Sequence, residues 1–198
     1  MARRSEHSQE QIKEMVLHAA ETIVSEEGVE ALTVRKIAME IGYTVGTIYM
    51  VYANMPDLLM HLKGRTLDLL LKQLHEIRVE DVVEQQIRGL ALRYYQFAAG
   101  NFNRWRIIFE PVSSNQQPLP DWYQAKITQI FAPLEALFQQ LKPEYSAEQA
   151  ALAARTLWGG VHGVCMLSLQ GNLSRAGLVD TEDAVGLLVD NFIQGWKS

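Results

Sequence analysis

Residues 33–56, TVRKIAMEIGYTVGTIYMVYANMP, place hydroxyl, aromatic and cationic side chains at helical spacing around one glycine. Hydroxyl and guanidinium groups hydrogen-bond to phosphate oxygens and to base edges, so this set could bind nucleic acid. The candidate DNA-binding residues in this stretch are Thr33, Arg35, Tyr43, Thr44, Val45, Gly46, Thr47 and Tyr49. Of these, Tyr43, Thr44, Val45, Thr47 and Tyr49 are predicted to face outward.

Two short helices are predicted to position these side chains. Thr33 can cap the first helix, and Gly42 can end it because glycine adopts the left-handed conformation without a Cβ clash. Its apolar positions fall on one face at Val34, Ile37, Ala38 and Ile41. Thr44 can cap the second helix, whose inward side carries Ile48 and Tyr52. This pattern predicts a helix-turn-helix whose second helix enters a DNA major groove.

At these residues the chain resembles the TetR/AcrR family of bacterial transcriptional regulators. The positions that match the family's spacing are Gly28, Leu32 to Arg35, Ile37, Ala38, Ile41, Gly42, Gly46 to Tyr49 and Leu58. A first helix is predicted before them, from about Ser8 to Glu27, where Ser8 and Gln11 can form a capping box. The resemblance covers residues 8–62 and implies an all-helical, ligand-responsive domain in the rest of the chain.

The resemblance also implies roles for single residues. Thr33 and Tyr49 would contact phosphates, and the residues at the base edges would be Arg35, Val45 and Thr47. The family usually carries a His two positions after the tyrosine and a Lys four positions beyond that His; here these places hold Val51 and Met55. Two phosphate contacts are therefore missing, which puts the electrostatic part of DNA affinity in doubt.

Helical periodicity continues beyond Pro56, so the expected fold is all-α with about nine helices. We divide the chain into a DNA-binding domain, residues 1–55, and a ligand-binding and dimerisation domain, residues 56–198. The later helices are predicted from Pro56 to about Ile77, from Asp81 to Ala99, within Phe102–Phe109, from Pro120 to Leu141, from Ser146 to about Leu173, and from Asp180 or Thr181 to Trp196.

The segment LWGGVHGVCML, residues 157–167, is similar to the signature of the WHG-type C-terminal domains of this family. His162 at its centre can be a hydrogen-bonding group in a ligand pocket, or a buried histidine bonded to a neighbouring carbonyl or hydroxyl. The candidate ligand-binding residues are Leu62, Thr66, Tyr94, Phe102, Trp105, Phe131, Trp158 and His162. This aromatic and hydroxyl set favours a small apolar or aromatic effector with little or no charge.

Two apolar stripes near the C-terminus predict the surface of a homodimer. The first consists of Leu157, Gly160, Val161 and Val164. The second consists of Val185, Leu188, Val189, Phe192 and Trp196. A two-fold dimer would present two recognition helices, so the DNA partner is expected to be a near-palindromic duplex operator.

Composition limits the classes of function. The net charge is −5, and residues 1–65 carry seven Lys and Arg against nine Asp and Glu, which excludes a nonspecific nucleic-acid coat protein. The single cysteine, Cys165, is interpreted as a core residue in a reducing compartment. Without a signal sequence or an apolar span, the protein is expected to be cytoplasmic and not membrane-bound. The sequence shows no metal-ligand cluster, catalytic constellation or cofactor motif.

The sequence therefore predicts a transcriptional regulator, specifically a repressor released from its operator by the effector. One alternative is a helical enzyme or haem-type protein that uses His162 or His75. A second alternative is a ligand- or protein-interaction module that has lost DNA binding, as Val51 and Met55 suggest.

Overall fold

The computed structural model describes residues 7–75, 82–111, 118–177 and 180–198. All regular elements in these ranges are helical, which confirms the all-α prediction. They are α1 (Gln9–Glu27), a 3-10 turn (Val29–Ala31), α2 (Val34–Glu40), α3 (Val45–Tyr49), α4 (Met55–His75), α5 (Val83–Gly100), α6 (Phe102–Ile107), α7 (Asp121–Leu141), α8 (Ala147–Leu169), α9 (Asn172–Arg175) and α10 (Thr181–Lys197). No helix in the described ranges combines the length and apolarity needed to cross a membrane.

The chain forms two compact units. The first comprises Met1–Thr66 with Asn103–Pro118, and the second comprises Leu67–Phe102 with Leu119–Ser198. The first unit thus extends beyond residue 55, where the sequence analysis ended its DNA-binding domain. The physical reason is that Leu58, Leu62 and Ile107 are buried in the same apolar core as α1, α2 and α3.

Local capping signals determine the helix ends of the first unit. Ser8 and Gln11 form the predicted capping box, which satisfies free backbone N–H groups at the start of α1. Gly28, just after α1, has φ +88°, and Gly42, after α2, has φ +71°. Both conformations strain residues that carry a Cβ, so glycine is required at these two turns.

The second unit is built from α5, α7, α8 and α10, which pack against one another. Helix α8 ends at Leu169, earlier than the predicted Leu173, because Gly171 turns the chain with φ +74° and starts the separate helix α9. The described residues thus contain ten α-helices, one more than predicted. Cys165 is fully buried in α8, and burial raises the pKa of its thiol to about 12.

The two stripes predicted as a dimer surface are partly buried within the single chain. Their central members, Leu157, Val161, Val185 and Val189, are each at most 2% exposed in the single chain. A Cβ built on Gly160 would lie 3.1 Å from Leu188 Cδ2, so α8 and α10 approach closely there. Val164 is half-buried. Phe192 and Trp196 both pack edge-on against Phe138 of α7.

These contacts cover the buried members of both stripes within the chain, whereas Val164, Leu188, Phe192 and Trp196 stay half-buried, so the predicted interface stays a prediction. Apolar periodicity identifies the side of a helix that needs cover, but it does not tell whether the cover comes from the same chain or from a partner. The large apolar side chains that stay exposed on these helices are different ones, namely Leu152, Leu167 and Leu187.

Candidate DNA-binding surface and effector cavity

Helices α2 and α3 hold the predicted DNA-binding residues on hydrogen-bonded caps. Thr33 Oγ1 accepts a hydrogen bond from the Lys36 backbone N–H at 3.2 Å. Thr44 Oγ1 accepts one from the Thr47 backbone N–H at 3.3 Å and also lies 3.0 Å from Thr47 Oγ1. Ile48 is buried beneath α3. The caps and the buried Ile48 side chain fix the orientation of α3 within the first unit.

The outward face of this motif is close to the one predicted. Its exposed members are Thr33, Arg35, Thr44, Gly46 and Tyr49, and Thr47 is half-buried. Two neighbours that the sequence predicted as outward, Tyr43 and Val45, are instead half-buried and pack against the core of the first unit. Met39 and Met50 add exposed apolar groups to α2 and to the end of α3.

His7 is a neighbour of the recognition region that sequence analysis missed. Its Nδ1 lies 2.7 Å from Tyr43 Oη, and the two rings meet edge to face. This contact joins the start of α1 to the turn before α3. No local signal could have revealed it, because the two residues are 36 positions apart in the chain.

Among the described residues, few cationic groups lie near this face. Lys36 is paired with Glu27, at the end of α1. Arg35 is exposed and forms no ion pair within the described ranges. Val51 and Met55, at positions where the family usually has cations, pack partly buried against the core of the first unit. Arg35 is therefore the cation of α2 and α3 that is available to a phosphate or a base.

Polar contacts attach α4 and α6 to the rest of the first unit. Arg65 of α4 pairs with Glu14 and with the buried Glu21 of α1. Arg106 of α6 pairs with Glu30. Lys63 is only 4% exposed, and its ammonium group donates to the backbone carbonyl of Glu110. Burial lowers the pKa of Lys63 to about 8.

A small apolar cavity of about 50 Å³ lies in the second unit. Its walls are Leu74, Ile87, Leu90, Ala91, Tyr94, Ile130, Phe131, Leu134, Leu157, Trp158 and Val161. A cavity of about 150 Å³ can hold a benzene molecule, so a ligand of that size could enter this one only if its walls moved apart. The helices α4, α5, α7 and α8 all contribute walls.

A hydrogen-bonded pair borders this cavity. Tyr94 Oη and His162 Nδ1 are 2.9 Å apart. The His162 ring is stacked on the Trp158 ring, with the ring centroids 5.3 Å apart. Burial lowers the pKa of His162, so its imidazole is neutral at neutral pH. His162 is therefore hydrogen-bonded to a neighbouring hydroxyl, as one predicted role requires. It also contacts Tyr94 and Trp158, which line the cavity, as a residue beside a ligand pocket would.

The predicted ligand-binding residues divide between the two units. Tyr94, Phe131 and Trp158 line the cavity, and His162 contacts two of them. The cavity walls do not include Leu62, Thr66, Phe102 or Trp105. Of these four, Leu62, Thr66 and Trp105 are buried within the first unit, where Thr66 Oγ1 donates to the Leu62 carbonyl.

Sequence reasoning also missed aliphatic walls such as Ile87 and Leu134. They carried a signal, since they lie on the apolar stripes of α5 and α7, but periodicity does not distinguish a cavity wall from close-packed core. His75, the other histidine considered for chemistry, is exposed, with Nδ1 2.9 Å from the Leu71 carbonyl.

An arginine lies over one of the rings that line the cavity. Arg155 Cζ is 5.0 Å from the centre of the Phe131 ring, and the Phe131 and Trp158 rings form a T-shaped pair. Arg155 Nη1 is 2.7 Å from Glu135 Oε1 and 3.0 Å from the Ala151 carbonyl. Half of the Arg155 side chain is exposed, at 50%, so the charged group lies between solvent and the aromatic wall.

Solved structures share this fold across nearly the whole chain. A protein of unknown function from Rhodococcus sp. RHA1 is 16% identical, covers 100% of both chains and has a TM-score of 0.78. The transcriptional regulator FadR from Bacillus subtilis, in complex with stearoyl-CoA, is 16% identical with a TM-score of 0.66 and covers 92% of this chain and 98% of its own. A TetR variant from Acinetobacter baumannii AYE, in complex with minocycline, is 20% identical with a TM-score of 0.65 and covers 93% of this chain and 96% of its own.

Comparison with families gives a match in each part of the chain. A search among curated proteins found no significant match. Residues 16–62 match the family described as bacterial regulatory proteins, tetR family. Residues 87–192, more than half of the chain, match the tetracyclin repressor-like, C-terminal domain. The chain therefore belongs to the TetR family, whose members are transcription regulators and not enzymes.

Proposed function

We propose that this regulator is a homodimeric repressor that binds a near-palindromic operator and leaves it when a small apolar compound enters the cavity of the second unit. The observation that carries the proposal is the capped α2–α3 motif, whose outward face presents hydroxyls and one available guanidinium at helical spacing. Such a face matches the groups that read a DNA major groove.

The roles within this face follow from exposure. Thr33 and Tyr49 are exposed at its two ends and can hold phosphates. Arg35 and Thr47 can reach base edges. Val45 is half-buried, so it contributes at most its methyl surface, and Tyr43 positions the turn through His7.

The homodimer is proposed to use the exposed side of α8 and α10. Leu152 and Leu167 of α8 are 67% and 46% exposed, and Leu187 of α10 is 66% exposed. Between the two leucines of α8, a Cβ built on Gly159 or Gly163 would meet nothing within 4 Å. These glycines leave room for another helix backbone, and burying the leucines would favour association.

The proposed effector is a small apolar or aromatic molecule, because the cavity walls are almost entirely hydrocarbon. FadR with stearoyl-CoA and the TetR variant with minocycline support ligand binding by proteins of this fold. Leu74 of α4 is one of the walls, and the same helix continues back into the first unit. A ligand that widens the cavity would therefore displace α4. The resulting loss in the free energy of DNA binding equals the coupling free energy between effector and DNA.

Cavity filling tests the effector site. Ala91 is a cavity wall, and Ala91→Leu would occupy the free space; Ala99→Leu, on the exposed side of the same helix, is the matched control. Hydrophobic compounds are screened by thermal shift, and hits are tested for release of operator DNA. We expect Ala91→Leu to abolish both effects and Ala99→Leu to keep them. Release that persists in Ala91→Leu would place the effector elsewhere.

A further inference from the structure

We propose that the effector is a compact aromatic monocarboxylic acid whose ring enters the cavity and whose carboxylate is bound by Arg155. This inference rests on the proposed role of the cavity as the effector site, and it adds the charge and size of the ligand. Its basis is the arrangement of Arg155, Glu135 and Phe131 at one wall.

The charge of Arg155 lies beside one wall of the cavity. Arg155 Cζ is 5.0 Å from the centre of the Phe131 ring, and Phe131 is a wall of the cavity. The guanidinium therefore contacts a ring that also lines the apolar space. Phe131 is half-buried, so it also forms part of the boundary between this space and solvent. A molecule that displaces the ring edge would bring its trailing end beside the guanidinium.

The guanidinium of Arg155 favours a negatively charged group on the ligand. Arg155 binds Glu135 Oε1 through Nη1 alone, at 2.7 Å. A guanidinium can bind a carboxylate through two parallel hydrogen bonds, which are stronger and more directional than one. A ligand carboxylate can thus replace Glu135 as the partner of Arg155. Glu135 would repel an acidic ligand from the same place, so it acts as a competitor that the ligand has to displace.

The walls of the cavity favour an aromatic group on the ligand. Phe131, Trp158 and Tyr94 present aromatic surface to the cavity, and aromatic pairs gain from edge-to-face contact. The free volume of about 50 Å³ is below the roughly 150 Å³ that holds a benzene molecule, so the walls must move apart even for a single ring, and a compact ligand requires the smallest displacement.

The test compares phenylacetate with its uncharged analogue 2-phenylethanol by isothermal titration calorimetry on the full chain. Arg155→Met keeps the apolar stem over Phe131 and removes the charge. We expect it to weaken phenylacetate binding about tenfold and to change 2-phenylethanol binding by less than about twofold. Glu135→Gln removes the competitor and should tighten phenylacetate binding about fivefold, again without affecting the alcohol.

The outcomes separate this inference from the proposed function. Equal losses of acid and alcohol binding in Arg155→Met would show that Arg155 only packs on Phe131, and would overturn the proposal. Binding of the alcohol without the acid would also overturn it, while leaving the cavity as an effector site. If neither compound binds the unmodified protein, the aromatic-acid proposal is overturned, and the Ala91→Leu screen alone decides whether the cavity is the effector site.

Discussion

Tyr49 and Tyr52 lie three residues apart in the chain, but their hydroxyl groups have opposite environments. Tyr49 is 50% exposed on the face of α3. Tyr52 is 2% exposed, and its hydroxyl donates to the Lys13 carbonyl at 3.1 Å. Burial raises the pKa of Tyr52 well above its usual range. One tyrosine is therefore available to a ligand, whereas the other holds α1 against the end of the motif.

This difference predicts separable effects of removing each hydroxyl. Tyr49→Phe should weaken operator binding about fivefold, the equivalent of one lost phosphate hydrogen bond, and leave the free energy of unfolding unchanged. Tyr52→Phe should lower the free energy of unfolding by about 1 kcal/mol, because the Lys13 carbonyl loses its donor. Chemical denaturation and fluorescence anisotropy with labelled operator measure the two quantities. Loss of stability in Tyr49→Phe would contradict the assignment.

Met55 occupies the position at which the family usually has a phosphate-binding lysine, so a substitution there can restore this cation. It is half-buried at the start of α4, with its side chain against the core. A lysine there can lay its stem along the same apolar surface and extend its ammonium group to solvent. Met55→Lys should tighten binding to every DNA sequence and steepen the log-log salt dependence by about one unit for each additional phosphate that the lysine neutralises. A slope equal to that of the unmodified protein would show that position 55 does not reach the DNA backbone.

Helix α4 carries a buried lysine, Lys63, whose titration should change the stability of the protein with pH. Lys63 has a pKa of about 8 in the folded protein against an ordinary value of 10.5. The unfolded chain therefore binds this proton more tightly, so protonated Lys63 opposes folding below about pH 8. As the pH rises from 8 toward 10.5, Lys63 loses its proton in the folded protein, and the free energy of unfolding increases.

The prediction is a pH-dependent difference between the unmodified protein and Lys63→Met. Between about pH 7.5 and about pH 10, the unmodified protein should gain about 2 kcal/mol in the free energy of unfolding relative to the variant. Lys72→Met, at an exposed lysine of the same helix, should show no such change. The measurement is urea denaturation at several pH values. A constant difference for Lys63→Met would mean that the Lys63 pKa is not lowered.

The helices also show which features a sequence determines locally. The caps at Ser8, Thr33, Thr44 and Ser146 were predictable, because each depends on residues no more than three positions apart. The turn at Gly42 was predictable for the same reason. These features define the motif on which the proposed DNA contact depends, so that part of the candidate site could be inferred in advance.

The parts that sequence reasoning did not reach depend on long-range packing. Trp105 and Tyr94 are both aromatic and buried, but only Tyr94 borders the cavity, since the two residues belong to different compact units. Likewise, Val185 and Val189 of the α10 stripe are buried within their own chain, where α8 approaches α10 at Gly160 and Leu188. Periodicity indicates the apolar side of each helix, and only the fold shows what covers it.

For the whole molecule, the exposed face of α8 and α10 predicts a specific monomerising substitution. Leu187→Asp places a charge at a side chain that is 66% exposed in the single chain, so the fold should persist while the dimer is lost. Operator affinity should fall more than tenfold, because a monomer carries one recognition helix and makes half of the DNA contacts. Phe192→Asp should instead unfold the chain, since Phe192 packs on Phe138.

Light scattering and circular dichroism separate these two outcomes. The matched control is Leu69→Asp, at a side chain of α4 that is 38% exposed, which should remain dimeric. A dimer that survives Leu187→Asp would move the interface to another surface.

The measurement that tests the central proposal most directly is selection of duplex DNA from a random pool by the purified full-length protein. The proposal predicts enrichment of one near-palindromic motif whose half-sites lie one helical turn apart, ~34–36 Å, or a multiple of that distance. The Thr47→Ala variant should lose most of this enrichment while keeping its fold. If no motif is enriched, the sparse cations of the first unit no longer serve DNA recognition, and the alternative of an interaction module that has lost DNA binding takes its place.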